Sequence, residues 1–104
     1  MYQNIENNDF KKLMKIQGTV IMDVRTAKEL SEGHIAGASV FIDINSEPFE
    51  ERIQKLDKSK PYLVYCRSGA RSAKACRIMD ENGFKGPLYN LAKGISGWDG
   101  EVKR

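Results

Sequence analysis

The sequence is poor in the residues that build metal or disulfide frameworks. It has two cysteines, Cys66 and Cys76, and one histidine, His34, in 104 residues. Two thiols are too few for a disulfide scaffold or a Cys-rich metal site, and one imidazole adds little, so no metal is expected. So few cysteines fit a reduced, intracellular setting. No apolar run approaches the ~20 residues that cross a bilayer, which excludes a membrane-spanning helix. The stretch Met1 to Phe10 carries Glu6 and Asp9 and lacks a basic flank followed by an apolar run, so no signal peptide is read there. The expectation is a cytoplasmic protein, or one whose leader is already removed. An excess of one charge is also missing: 17 Lys and Arg against 14 Asp and Glu leave a net +3, spread along the chain. There is no dense basic stripe with stacking aromatics, so nucleic acid is not an expected partner. Mild positive charge still draws small anions.

What is present is the composition of a folded domain, with 40% hydrophobic and 30% charged residues. The length suits one domain, residues 1–104, with a core over about residues 5–98 and a polar tail, 99–104. Short β-like runs alternate with helical ones. An extended start at Tyr2–Ile5 leads to Asn7 and Asn8 as N-cap residues for a helix carrying Phe10, Leu13 and Met14. Thr19–Val24 reads as a buried parallel strand. Thr26 and Glu29 form a capping box for a short helix, and Ser39–Ile42 reads as a second strand. Asn45 or Ser46 is expected to cap a helix bearing Phe49, Ile53 and Leu56. Tyr62–Tyr65 is a third buried strand. Ser72–Asn82 is a helix burying Ala75, Cys76 and Met79, and Leu88–Asn90 is a last short strand. The pattern predicts an α/β fold: a central parallel sheet of about five short strands with helices on both faces. In such folds ligands bind beyond the carboxyl ends of the strands.

The loop after Tyr65 stands at such an end. Cys66 closes the strand, Arg67, Ser68, Gly69 and Ala70 follow, then Arg71 and Ser72 open a helix. A loop that short, entering a helix N-terminus, turns successive N–H groups inward as an anion nest. Gly69 permits a backbone angle that a side chain resists. A free thiol has a pKa of about 8.5, and such surroundings lower it. Arg71 is expected to close the ring with its fork of donors. The prediction is an ionised, exposed sulfur acting as nucleophile, weighed against a small core cysteine. Cys76 lies on the apolar stripe of the next helix and reads as packing, not as a resolving thiol.

The chain resembles the single-domain rhodanese-like sulfurtransferase family over roughly Ile5 to Trp98. The markers are Asp23-Val24-Arg25, Glu29, Gly33-His34-Ile35-Ala36-Gly37-Ala38, Cys66 to Ser72, and Leu91-Ala92-Lys93-Gly94-Ile95 with Trp98. The resemblance implies a rhodanese-like fold and a thiosulfate sulfurtransferase. Cys66 would take the outer sulfur of thiosulfate or another persulfide donor, and the N–H groups of Arg67 to Ser72 would hold it. The persulfide would pass it to a thiophilic acceptor: cyanide in vitro, a thiol or protein in the cell. No cofactor is implied. Asp23 and Arg25 have two readings, a rim of the same site or a structural role, as an ion pair or as a cap of the helix beginning near Thr26. His34 is read as organising its turn rather than as a base, and Trp98 as packing. Ala36 stands where the family usually has proline, and Lys93 where it usually has glycine, which strains the turn if a positive φ is required there or brings a cation to the rim.

Three alternatives share these residues. A thiolate-based phosphatase or arsenate reductase has a similar loop, but with five residues between Cys and Arg, whereas this chain has four. A single terminal sulfur needs a narrower ring of donors than a tetrahedral oxyanion. A protein-binding sulfur-relay module would keep Cys66 and use a protein as donor or acceptor. A non-catalytic module would be expected to lack the cysteine.

Overall fold

The computed structural model describes residues 1–46 and 48–104. Strands β1 (Tyr2–Ile5), β2 (Val20–Asp23), β4 (Val40–Phe41), β5 (Tyr62–Tyr65) and β6 (Leu88–Leu91) form one sheet, in the order β1-β6-β5-β2-β4. Every pairing in it is parallel. A five-stranded parallel sheet is the architecture the alternating pattern predicts, and β5 sits at its centre.

Alternation along the strands divides the core. Tyr62 and Val64 of β5 face one cluster with Phe49, Ile53, Ala75, Cys76 and Met79. Leu63 and Tyr65 face the other, with Phe10, Ile21, Ile35 and Leu91. Helices α3 (Phe49–Ile53) and α4 (Ala70–Glu81) therefore cover one face and α1 (Asn7–Leu13) the other. All four residues of β5 are buried, which explains why its sequence is a continuous apolar run. Helix α2 (Ala27–Leu30) buries no residue and is held by its capping box, with Thr26 and Glu29 bonding reciprocally.

Local details differ from the sequence reading. The N-cap of α1 is Glu6, without a side-chain bond, because Asn7 Nδ2 instead donates to the Gly97 carbonyl at 2.8 Å. The N-cap of α3 is Pro48, not Asn45 or Ser46. Those two are occupied in a turn around Asp43: the Asn45 N–H donates to Asp43 Oδ1 and Ser46 Oγ to the Asp43 carbonyl, both at 2.8 Å. Leu56 lies beyond the end of α3 but still packs against the core. Helix α4 starts at Ala70, two residues before the expected Ser72. The polar tail is not a free tail. Val102–Lys103 forms β7, antiparallel to β3 (His34–Ile35) in a small second sheet.

Candidate active site

Cys66 follows the last residue of β5, so it lies just beyond the carboxyl edge of the sheet, with α4 directly ahead. The loop turns at Gly69, the N-cap of α4, where φ is 101°. A Cβ at Gly69 would lie 2.2 Å from the Ala92 carbonyl oxygen, so both angle and space require glycine. The segment after β6 backs the loop: the Ile95 N–H donates to the Cys66 carbonyl at 2.9 Å and the Ser96 N–H to the Arg67 carbonyl at 3.0 Å. Gly94 packs so closely there that a Cβ would come within 2.2 Å of the Arg67 carbonyl oxygen.

This arrangement brings donors onto the sulfur. The Gly69 N–H donates to Cys66 Sγ at 3.0 Å, and Ser72 Oγ lies 3.3 Å from it. Burial pushes the thiol up. The Ser72 hydroxyl and the N–H groups of Ser72, Gly69 and Ser68 outweigh that, and the net shift is below the ordinary thiol value. The arrangement thus favours a thiolate. Cys76 shows the contrast: it is buried on α4 without such donors, and burial pushes it up to about 12. It is inert packing.

Two expectations about the loop are corrected. The sulfur is not exposed: Cys66 is 0% exposed, because the short loop folds its own amides down onto it and Ser72 closes the side. The cover is thin, since Arg67, Ser68 and Ala70 are themselves exposed. Nor does Arg71 close the ring. Its fork is turned onto Glu29, with Nη1 to Oε1 at 2.7 Å and Nη2 to Oε2 at 2.8 Å. A bidentate carboxylate is the better partner for a planar guanidinium. Hydrogen bonding from Arg71, against the opposing effect of burial, lowers the Glu29 carboxyl to about 2. Arg67, in contrast, has no carboxylate within ion-pair distance among the described residues.

Of the two readings for Asp23 and Arg25, the structure has the ion pair. Arg25 Nη2 meets Asp23 Oδ2 at 2.8 Å, both side chains are buried, and Nη2 also donates to the Gly33 carbonyl at 2.7 Å. His34 Nδ1 lies 3.0 Å from the Ile35 carbonyl and its ring packs edge-on against Phe41, so it organises β3 and the turn after it. Trp98 packs edge-on against Phe10. Lys93 carries no strain: the positive φ belongs to Gly94, at 64°, and no non-glycine residue among the described residues has one. The exposed Lys93 ammonium lies 3.8 Å from Glu6.

Two residues at the site were not singled out as site residues from the sequence. Glu29 reads from the sequence as half of a capping box and as one marker of the family resemblance, with no role at the site. Asn90 was read only as a strand end, yet it is buried at 2% exposure and bonds to Ser72 Oγ and to the Gly69 carbonyl. The available signal was its alternation with Leu88, which puts both on the α4 face of the sheet.

Comparisons with known proteins agree with this geometry. A model of the rhodanese-like domain family matches residues 6–101. The chain is 40% identical over 83 residues to a putative sulfurtransferase, YtwF of Bacillus subtilis, covering 80% of this chain and 76% of that protein. It is 36% identical over 98 residues to the thiosulfate sulfurtransferase GlpE of Coxiella burnetii, covering 94% of this chain and 88% of that one. The crystal structure of a rhodanese-related protein from Thermoplasma volcanium superposes with a TM-score of 0.83 at 28% identity, over 98% of each chain. A match across nearly the whole sequence, on a parallel sheet that carries its cysteine loop at the carboxyl edge, makes this chain a member of the rhodanese-like domain family.

Proposed function

We propose that the chain is a thiosulfate sulfurtransferase working through a persulfide on Cys66. The observation that carries the reading is the Gly69 N–H on Cys66 Sγ at 3.0 Å, at the mouth of a loop with only four residues between Cys66 and Arg71. Donors so placed favour the thiolate, which is the attacking form. The thiolate attacks the outer sulfur of thiosulfate. A new S–S bond forms, the S–S bond of thiosulfate breaks, and sulfite leaves with the electron pair. The loop amides then hold the negative terminal sulfur of the persulfide. An acceptor nucleophile (cyanide in vitro, a thiol or a protein thiol in the cell) takes that sulfur and releases the Cys66 thiolate. No redox partner is needed, and ping-pong kinetics follow from the covalent intermediate. Arg67, exposed and without a carboxylate partner among the described residues, supplies positive charge at the rim for the dianionic donor. The sulfur is covered, so the loop yields to admit the donor.

Intact-mass analysis tests this directly. Incubation with thiosulfate is expected to add one sulfur to the protein, and cyanide to remove it as thiocyanate. Cys66→Ser is expected to gain nothing, while Cys76→Ala loads as the parent does. A Cys66→Ser protein that still turns over at the parent rate overturns the assignment.

A further inference from the structure

Beneath the loop Ser72 is joined to Asn90 and Asn4, two polar residues that the proposed chemistry does not use. Asn90 and Ser72 are both buried, at 2% and 0% exposure. Asn90 Nδ2 donates to the Gly69 carbonyl at 3.1 Å and to Asn4 Oδ1 at 2.9 Å. A carbonyl can only accept, so the carboxamide has one orientation, with Oδ1 toward Ser72. Ser72 Oγ hydrogen-bonds to Asn90 Oδ1 and lies 3.3 Å from Cys66 Sγ. The Gly69 carbonyl is also 3.3 Å from Ser72 Oγ, but the Ala73 N–H and Asn90 already serve it.

A hydroxyl has one proton, so Ser72 can serve the carboxamide oxygen or the sulfur, not both at once. While Cys66 is a thiol, its S–H can donate to Ser72 Oγ and Ser72 can donate to Asn90, and every donor is used. When the thiol proton leaves to water, the sulfur becomes a strong acceptor with nothing to give, and Asn90 Oδ1 loses its donor if Ser72 turns away. We propose that Asn90 is a positioning residue that competes with Cys66 for the single proton of Ser72, so that the hydroxyl turns between carboxamide and sulfur as the sulfur changes charge. The proposal rests on Cys66 as the reacting group. The competition leaves the thiolate more basic than the loop amides and a free Ser72 would make it. A more basic thiolate is the better nucleophile once formed. After transfer the charge sits on the outer sulfur, and the proton is free to return to Asn90.

Charged groups around the loop are Arg67 within it, Arg71 of α4 clamped to Glu29 of α2, Asp43 beyond β4, the Asp23–Arg25 pair beyond β2, and Lys93 with Glu6 beyond β6 and β1. Among the described residues none of them hydrogen-bonds to Ser72 or Asn90 side chains. The contest for the proton is therefore local to three side chains.

The test is a pH titration of ultraviolet thiolate absorbance, with Cys66→Ser as the subtracted baseline. It reads Cys66 whether or not sulfur transfer occurs. Asn90→Leu is expected to lower the Cys66 midpoint by about half a unit to one unit, the scale of one net hydrogen bond. Ser72→Ala is expected to raise it. The double variant is expected to match Ser72→Ala alone, because Asn90 acts through the Ser72 hydroxyl. If Asn90→Leu does not fold, as read by circular dichroism, Asn90→Ala takes its place; it carries no acceptor for the Ser72 proton, and the same downward shift is expected. A midpoint that stays or rises without Asn90, or fails to rise in Ser72→Ala, overturns the proposal. Failure of the parent protein to load sulfur overturns the proposed function instead, with these midpoints still readable.

Discussion

Arg67 of the loop and Arg71 of the first turn of α4 lie four positions apart, and their surroundings separate their roles. Arg71 is bound bidentately by Glu29, which offsets its charge at the rim. Arg67 is exposed and keeps its full charge. The donor anion should therefore depend on Arg67. Arg67→Gln is expected to lower kcat/KM for thiosulfate by roughly tenfold at low ionic strength, with kcat nearly unchanged. The difference should shrink as salt is added, since a Debye length of about 8 Å at physiological ionic strength screens an exposed charge. Steady-state rates across a salt series check this, and equal values for parent and variant at low salt would refute it. The two cysteines divide in the same way: identical side chains, one ringed by donors and lowered, the other walled by apolar groups and raised to about 12.

Between elements, the Glu29–Arg71 pair ties the first turn of α4 to the start of α2, which buries no side chain of its own. Glu29 also accepts from the Thr26 N–H and hydroxyl, both at 3.1 Å, so one carboxylate caps its own helix and anchors another. Its carboxyl falls from 4.5 to about 2, and only 19% of its side chain is exposed. A depressed carboxyl contributes stability at pH above its unfolded value, and that contribution is lost as pH falls through 4.5 toward 2. The shift bounds it at about 3 kcal/mol. Glu29→Gln is therefore expected to melt below the parent at neutral pH, with the gap closing as the pH is lowered to about 2. A gap that does not narrow with acid would show that the carboxylate charge is not what stabilises the tie. The caps of α1 and α3 belong to this scale too. Asn7 and Ser46 have the right chemistry for capping, but their side chains take other partners, the Gly97 carbonyl for one and the Asp43 carbonyl for the other, while the Asn45 N–H is held by the Asp43 carboxylate.

For the molecule as a whole, the tail is part of the structure. Strand β7 pairs Val102 with Ile35 and Lys103 with His34, and the Ala36 N–H donates to the Glu101 carbonyl at 3.0 Å. Ile35 is fully buried, and its N–H donates to the Tyr65 hydroxyl at 3.0 Å, at the end of the strand that carries Cys66. The tail thus braces the turn that packs under β5. Removal of residues 99–104 is expected to cost at least about 1 kcal/mol, roughly 4–8 °C in Tm for a domain of this size, while sulfur loading at low temperature persists. Calorimetry with intact-mass analysis on the shortened chain checks both, and an unchanged Tm would contradict the bracing role.

Features that depend on near neighbours in the chain can be read from the residues alone. Apolar runs such as Tyr62–Tyr65, alternating with helical periodicity and ending in a short glycine-bearing loop, read as parallel strands feeding helices, so the central sheet, the capping box and the place of Cys66 at a strand end were legible. Which partners those residues take depends on the packed fold. Arg71 reaches a carboxylate 42 positions away, Ser72 an amide 18 positions away, and the tail a strand in the first half of the chain, His34–Ile35. The reason is physical: periodicity and turn chemistry act over a few residues, whereas a hydrogen bond goes to whichever acceptor the packed sheet brings within 3 Å or so. The depth of the sulfur was decided the same way, since a loop long enough to expose it is also short enough to fold its own amides over it.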